Sequence, residues 1–341
     1  MNHFPPMYLD GITLKNDWVI ISSFTGYQGQ FGRGYIAENK QTNKKGFVKA
    51  LNLEILNNSQ NFLVDAQKLI NDFSFEQNLL KQCLNKRMSR VVKLLDYGEI
   101  KSEKFSLPIP YMIFEFAEKI TKEVLETDQR SLDSILQLSC IHGAITAVNQ
   151  LHKSNIAHQD IKPSNFLEIN DITKIADLGR STQINNSSSY DEINVAGDQR
   201  YSPPELLYGE VSNDWYTRRF SCDMYMLGGI IAYCITHEPL TYTLIKNLNE
   251  ELKPLNMQGQ YDQVLPSIQS EMNKIYTELE IRLPENLKEI VIIIKQMTNP
   301  DPSYRGWPKF KGRVGNQYNL EPYISQIANL LKKIEYKFDK C

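Results

Sequence analysis

Cysteine is scarce in this 341-residue chain, and what there is lies scattered. Cys83, Cys140, Cys222, Cys234 and Cys341 are odd in number and form no Cys-x-x-Cys pair. That spacing gives no zinc site and no disulfide framework, so core thiols and a reducing compartment are expected. Long hydrophobic runs are missing as well. The longest strongly apolar stretch lies between Glu289 and Lys295, far short of the ~20 residues of a membrane span. Neither sign of charge dominates: 38 Lys and Arg stand against 40 Asp and Glu, for a net charge of −2. No broad basic field therefore invites nucleic acid or a membrane surface. The opening Met1-Asn2-His3-Phe4-Pro5-Pro6 lacks a basic n-region and an apolar core, so no signal peptide is expected. These features predict a soluble, cytoplasmic protein, with export by a non-classical route left open.

What is present has a clear order. The first hundred residues read mainly as strands, with short β-type runs at 18–21, 35–37 and 47–51. A glycine-dense segment runs from Gly26 to Gly34, and Asn43-Lys44-Lys45-Gly46 reads as a hairpin turn. Residues 61–84 have helical periodicity, with Phe75, Leu79, Leu80 and Cys83 on one side. Residues 91–95 and 111–114 are further strands. Beyond Phe116 the pattern turns helical. Leu132, Ile135, Leu136, Ile141, Ala144, Ile145, Val148 and Leu151 mark one long amphipathic helix. The stretch 223–235 is almost wholly apolar after Asp223, as in a helix buried on all sides. Residues 320–334 read as an amphipathic helix. The polar stretch 238–286 is either a solvated insertion or a docking surface. Together these predict an α+β architecture: a small β-rich lobe (1–116) and a larger helical lobe (117–341), joined at Glu115 to Lys119. Ligand sites favour such junctions.

The most specific signal is His158-Gln159-Asp160-Ile161-Lys162-Pro163-Ser164-Asn165. Asp177-Leu178-Gly179 follows, its aspartate twelve residues past Asn165. A carboxylate, a lysine, an amide and a second carboxylate stand in the order that phosphoryl transfer from ATP uses. With these motifs, residues 18–305 resemble a eukaryotic-type protein kinase. The resemblance implies a two-lobed protein-kinase-like fold with ATP and Mg²⁺ as cofactors and a protein substrate as partner. Nucleic acid and membrane insertion are not expected.

By the same resemblance, Asp160 is the base that readies the attacking hydroxyl, and Lys162 neutralises charge on the transferring group. Asn165 and Asp177 hold Mg²⁺. Lys49 grips the α- and β-phosphates, oriented by Glu76. Gly26, Gly29 and Gly32 form the glycine loop over the phosphates, although an ordinary glycine-rich hairpin fits these residues too. Backbone groups of Glu115 and Ala117 meet the adenine edge, with Phe114 as gatekeeper; a plain strand end reads equally well. Leu167 completes the nucleotide-binding set. Pro203-Pro204-Glu205 resembles the end of the activation segment, with Arg305 as the partner of Glu205. Asp223 heads its helix and accepts N–H bonds from the catalytic loop.

Several positions depart from the family pattern. Gly34 replaces a usual valine, and Phe47 a usual alanine facing the adenine. Gln159 stands for the arginine that normally pairs with a phosphorylated residue. Phosphorylation at Ser181, Thr182, Ser187 to Ser189 or Tyr190 is therefore not expected to be the main switch. Asp198 stands where Ser/Thr-directed members carry threonine, and an ion pair with Lys162 is expected. Leu178 keeps the apolar role of the commoner phenylalanine. The leading reading is a Ser/Thr protein kinase, read mainly from Lys162. The alternative is a pseudokinase acting as a nucleotide-binding or scaffold module. Phosphorylation of a small molecule or of tyrosine is weighed below both.

Overall fold

In the computed structural model, residues 4–25, 32–105, 107–117, 119–126, 134–313 and 316–338 are described. The chain divides into two compact units, Met1–Glu118 and Lys119–Cys341. The first is built on a five-stranded antiparallel sheet of order β1-β2-β3-β5-β4. Its strands are β1 (Trp18–Ser23), β2 (Gly32–Asn39), β3 (Lys45–Leu51), β4 (Leu94–Ile100) and β5 (Ile109–Glu115). Helix α1 (Phe62–Asn85) belongs to the same unit. Alternating burial in β2 and β3 presents one face of each strand to the core.

The β2–β3 turn lies at residues 40–44, slightly earlier than Asn43–Gly46. Asn39 sets it: its side-chain oxygen accepts from the N–H groups of Gln41 and Thr42 and from the Thr42 hydroxyl. In α1 the buried face runs through Ala66, Leu69, Phe73, Glu76, Leu80 and Cys83, steps of three and four. Phe73, not Phe75, is the buried ring. β4 begins at Leu94, later than the 91–95 run implied. Residues 4–14 are also tied down, a feature their composition does not announce. Phe4 stacks on Phe62, and its N–H donates to Asn57 Oδ1 at 2.7 Å. The Tyr35 hydroxyl donates to the Met7 carbonyl at 2.6 Å.

The second unit is mainly helical. After β6 (Lys119–Ile120) and α2 (Thr121–Glu126) comes α3 (Ser134–His152). Leu138, Ile141, Ala144, Ile145, Val148 and Leu151 form its buried stripe. Leu136 is 46% exposed, outside the stripe, and Leu132 lies outside the described residues. Then follow β7 (Ile156–Ala157), β8 (Phe166–Ile169), β9 (Ile172–Ile175), β10 (Thr182–Gln183) and α4 (Pro204–Leu207). The helices α5 (Trp215–Thr236), α6 (Leu240–Asn247), α7 (Tyr261–Arg282), α8 (Glu289–Met297) and α9 (Glu321–Phe338) complete the unit.

Every residue of α5 from Arg219 to Cys234 is buried. The helix begins at Trp215, capped by Asp214 on the Thr217 N–H, so Asp223 sits in its third turn and does not head it. The 238–286 stretch is not a solvated insertion. In α7, Val264, Ile268, Met272, Ile275, Tyr276 and Leu279 are buried, and the Tyr276 hydroxyl meets Thr298. Each such apolar side chain contributes on the order of 1.5–3 kcal/mol, enough to dock a helix whose outer face is polar. Cys83, Cys140, Cys222 and Cys234 are free and buried. Burial raises their thiols, those of Cys83 and Cys140 to about 12. Among the described residues, no helix is long and apolar enough to cross a membrane.

One ion pair crosses the helical core. Arg305 donates to both Glu205 oxygens, at 2.7 and 2.9 Å. Its remaining N–H groups meet Ser221 and the Asn299 carbonyl, and its plane lies 5.0 Å from the Tyr225 ring centroid. Burial works against the charge, but Glu205 outweighs it and holds the guanidinium above its usual range. Glu205→Ala leaves a buried cation without its counter-charge and should lower unfolding free energy by about 3–5 kcal/mol. Urea unfolding followed by far-UV circular dichroism checks this. A loss under about 1 kcal/mol would place the pair with ordinary surface bridges.

Candidate active site

In the first unit, β3 carries Lys49 and α1 carries Glu76. Lys49 Nζ lies 2.9 Å from each carboxylate oxygen of Glu76. The Glu76 side chain is only 4% exposed. In such surroundings a bidentate contact offsets the cost of burying a carboxylate. A Cβ at Gly32 would come within 3.0 Å of the Lys49 stem, so this glycine leaves the lysine its path. Gly26 and Gly29 lie outside the described residues.

The two odd residues of this unit turn out to be one exchange of volume. Phe47 pairs with Phe114 across β3 and β5. A Cβ on Gly34 would stand 2.9 Å from two atoms of the Phe47 ring. The ring thus occupies the space that a side chain at position 34 would need. Phe24 meets it edge-on at 5.4 Å, and Phe114 lies tilted at 6.5 Å. Beside this cluster, the Glu115 N–H donates to the Lys93 carbonyl at 3.1 Å. Any contact of Glu115 to a purine therefore falls to its carbonyl. Ala117 is half-buried.

In the second unit, a β-hairpin places the metal-ligand candidates. β8 starts directly after Asn165 and β9 ends directly before Ala176-Asp177, with Phe166 opposite Ile175. Asn170 and Asp171, at φ 51 and 58, make the tight turn. At the open end the Ala176 N–H donates to the Asn165 carbonyl at 2.9 Å, and His158 Nε2 meets the Ala176 carbonyl at 3.0 Å. These contacts stitch the two motifs together. Asp177 is exposed, in the left-handed region at φ 58. Leu167 is half-buried in β8.

Asp160, Lys162 and Asn165 converge. Asp160 Oδ2 accepts from Lys162 Nζ at 2.9 Å and from Asn165 Nδ2 at 3.3 Å, and Oδ1 accepts from the Asp198 N–H at 3.0 Å. Asn165 Nδ2 also donates to the Asp160 carbonyl at 2.8 Å. That contact fixes the amide and leaves its oxygen as the atom that can ligate a cation. An amide oxygen and a carboxylate are hard ligands, suited to Mg²⁺ beside phosphate. Gly197 packs so tightly that a Cβ would meet the Gln159 carbonyl at 2.5 Å and Asp160 Oδ1 at 2.6 Å. No side chain larger than hydrogen fits there without moving the loop.

Asp198 takes Arg200 as its close partner, at 2.6 Å, while Lys162 lies on Asp160. Burial pushes the Asp198 carboxyl up, but hydrogen bonds and charge from Arg200, with a smaller contribution from Lys162, hold it below the usual range. Sequence reasoning missed two arginines and a histidine. Arg180 Nη1 donates to the Ala196 carbonyl. Arg219, 1% exposed, contacts Gln159 and residues 190–191. His152 Nε2 meets Asp223 Oδ2 at 2.9 Å. The available clue was Arg218-Arg219 shortly before an otherwise apolar helical run. Ser181 and Thr182 are fully buried, so these hydroxyls are closed to modification in this fold.

A family model described as the protein kinase domain matches residues 26–308. The chain belongs to the protein kinase family, and its fold is the α+β protein-kinase fold. Among curated relatives it is similar to Cyclin-dependent kinase-like 5 of Mus musculus, 29% identical over 155 residues, covering 45% of this chain and 16% of that protein. A probable cell division protein kinase of Encephalitozoon cuniculi is 28% identical over 215 residues, covering 62% of this chain and 69% of that protein. Extracellular signal-regulated kinase 2 of Dictyostelium discoideum is 27% identical over 211 residues, covering 60% and 51%. The chain thus spans about a sixth of the Cyclin-dependent kinase-like 5 protein that it matches (16%).

The size exchange at positions 34 and 47 can be tested directly. Gly34→Val and Phe47→Ala should each lower the melting temperature, and the double variant should recover much of the loss. A coupling of about 0.5–3 kcal/mol is expected from the cycle. Additive losses would show that the two positions do not share one space.

Proposed function

We propose that this chain is an ATP- and Mg²⁺-dependent protein kinase that transfers the γ-phosphoryl group to Ser or Thr hydroxyls of protein substrates. The observation that carries the proposal is the set of contacts on Asp160. One oxygen is engaged by Lys162 and Asn165, the other by the Asp198 N–H. A carboxylate held at both ends has a fixed direction, as a base that aligns one hydroxyl requires. Lys162, two residues on, supplies positive charge where the transferring group develops negative charge. Its place in the motif is also the ground for Ser/Thr specificity.

Nucleotide binding is assigned to Lys49 with Glu76, to the Gly26–Gly29–Gly32 loop, and to Glu115, Ala117 and Leu167. The Lys49–Glu76 pair is already closed, which favours a chain competent to hold α- and β-phosphates. Asn165 and Asp177 would hold Mg²⁺. When bound, the ion would offset negative charge on the phosphate groups. The relatives' names as cyclin-dependent-like and extracellular signal-regulated kinases fit transfer to protein.

A second reading is favoured by the Phe47 ring: a pseudokinase serving as a nucleotide-binding or scaffold module. Incubation with labelled ATP, Mg²⁺ and a generic protein substrate separates the two readings. Transfer to Ser or Thr is expected, and Asp160→Ala should lower kcat by about 10²–10⁴-fold. A wild-type chain that neither transfers phosphate nor gains melting temperature with Mg²⁺ and ATP would favour the scaffold. Unchanged kcat in Asp160→Ala would remove Asp160 from the role of base.

A further inference from the structure

Arg219 occupies an unusual place for a charged side chain. It lies on α5 and is 1% exposed, and among the described residues no carboxylate is one of its hydrogen-bond partners. Its Nη2 donates to the backbone carbonyls of Tyr190 at 2.9 Å and Asp191 at 2.7 Å. Nη1 donates to Gln159 Oε1 at 3.0 Å, with a longer contact of 3.5 Å to the Ile193 carbonyl. Gln159 answers from the catalytic loop. Its Nε2 donates to the Arg219 carbonyl and to Asp223 Oδ1, both at 3.0 Å.

This arrangement explains the glutamine. A carboxamide offers one acceptor and two donors, so it can receive the guanidinium on one side and satisfy a carbonyl and a carboxylate on the other. An arginine at position 159 has donors only, and would set a second cation against Arg219 in a buried space. The charge that the family usually carries in the catalytic loop is here supplied from α5, and it is spent on carbonyls. Carbonyls are present whatever the modification state of the segment.

The hold reaches the catalytic carboxylate along a short stretch of chain. From Tyr190 to Ile193 the backbone faces Arg219. At Ala196 the carbonyl accepts from Arg180, whose guanidinium lies 5.7 Å from the Tyr190 ring centroid. At Asp198 the N–H donates to Asp160 Oδ1 at 3.0 Å. Gly197, between them, packs on the Gln159 carbonyl and on Asp160.

We propose that Arg219 is a positioning residue that holds activation-segment residues 190–193 through their backbone carbonyls, so that the frame around Asp160 is assembled without a phosphorylated side chain. For its catalytic consequence the proposal rests on the kinase reading; for its physical content it does not. Two measurements on the full chain, treated with phosphatase and verified as unphosphorylated by intact mass, keep these apart. The first is amide hydrogen exchange. Arg219→Gln should speed exchange across residues 187–198 by at least about tenfold, as expected on losing charge-assisted hydrogen bonds, while residues 224–234 of α5 stay protected. The second is kinetics. Unphosphorylated wild type should retain its activity within about twofold on rephosphorylation. Arg219→Gln should lose at least about tenfold in kcat/KM for the protein substrate with little change in KM for ATP. Arg219→Lys, the milder variant, should loosen the segment by less, because an ammonium keeps the charge but not the planar fork. Unchanged exchange at 187–198 in both variants would overturn the hold. A wild type that is inactive until phosphorylated would overturn the claim that no phosphate is needed. If wild type transfers no phosphate under any condition, the kinase reading fails, and the exchange result still decides whether Arg219 clamps the segment.

Discussion

The carboxylate of Asp223 is the constraint around which the second unit is arranged. It is fully buried on a helix whose neighbouring side chains are mostly apolar. Such a group is tolerable only if its lone pairs are filled. They are filled by the N–H groups of His158 and Gln159 at 2.7 and 2.8 Å, by Gln159 Nε2 at 3.0 Å, and by His152 Nε2 at 2.9 Å. Two consecutive backbone donors can reach one carboxylate only if the chain turns sharply, and Gln159 accordingly adopts φ 65. The next residue is Asp160. Its direction follows from the two preceding residues satisfying the buried Asp223 carboxylate.

From that point the loop is locked by contacts that each serve two ends. His158 reaches the Ala176 carbonyl, and Asn165 receives the Ala176 N–H, so the 158–165 loop and the Asp177 segment form one hydrogen-bonded frame. The departures from the family pattern then fall into compensating pairs. Gly34 with Phe47 conserves volume within one sheet. Gln159 with Arg219 sets a positive charge on the helix and gives it an amide acceptor, although the guanidinium Nε finds no hydrogen-bond partner among the described residues. Neither member of a pair makes physical sense alone, since each alone leaves a void, a clash or an unsatisfied buried group.

Much of this was legible in the residues. The motif around Asp160 and Asp177 and the buried helix after Asp223 follow from types and spacing, and the Lys49–Glu76 and Glu205–Arg305 pairs follow from the resemblance to the kinase family. What stayed hidden depended on which of two similar residues faces inward, or on long-range partners. Phe73 and Phe75 both fit a helical stripe, and only packing against the sheet chooses between them. α7 looked solvated because its polar face is large, yet seven of its residues are buried at steps of three, four or one. Asp198 prefers Arg200 to Lys162 because Arg200 is two residues away and Lys162 is already on Asp160. The role of Arg219 was hidden because its acceptors are carbonyls, which no side-chain pattern marks.

The central claim is that Asn165, Asp177 and Asp160 act together on a metal-bound nucleotide in this chain. A crystal structure with Mg²⁺ and a non-hydrolysable ATP analogue tests it most directly. The account predicts a cation ligated by Asn165 Oδ1 and the Asp177 carboxylate, with the terminal phosphate turned toward Asp160. A saturated crystal with no nucleotide, its purine position taken by the Phe47 ring, would contradict it.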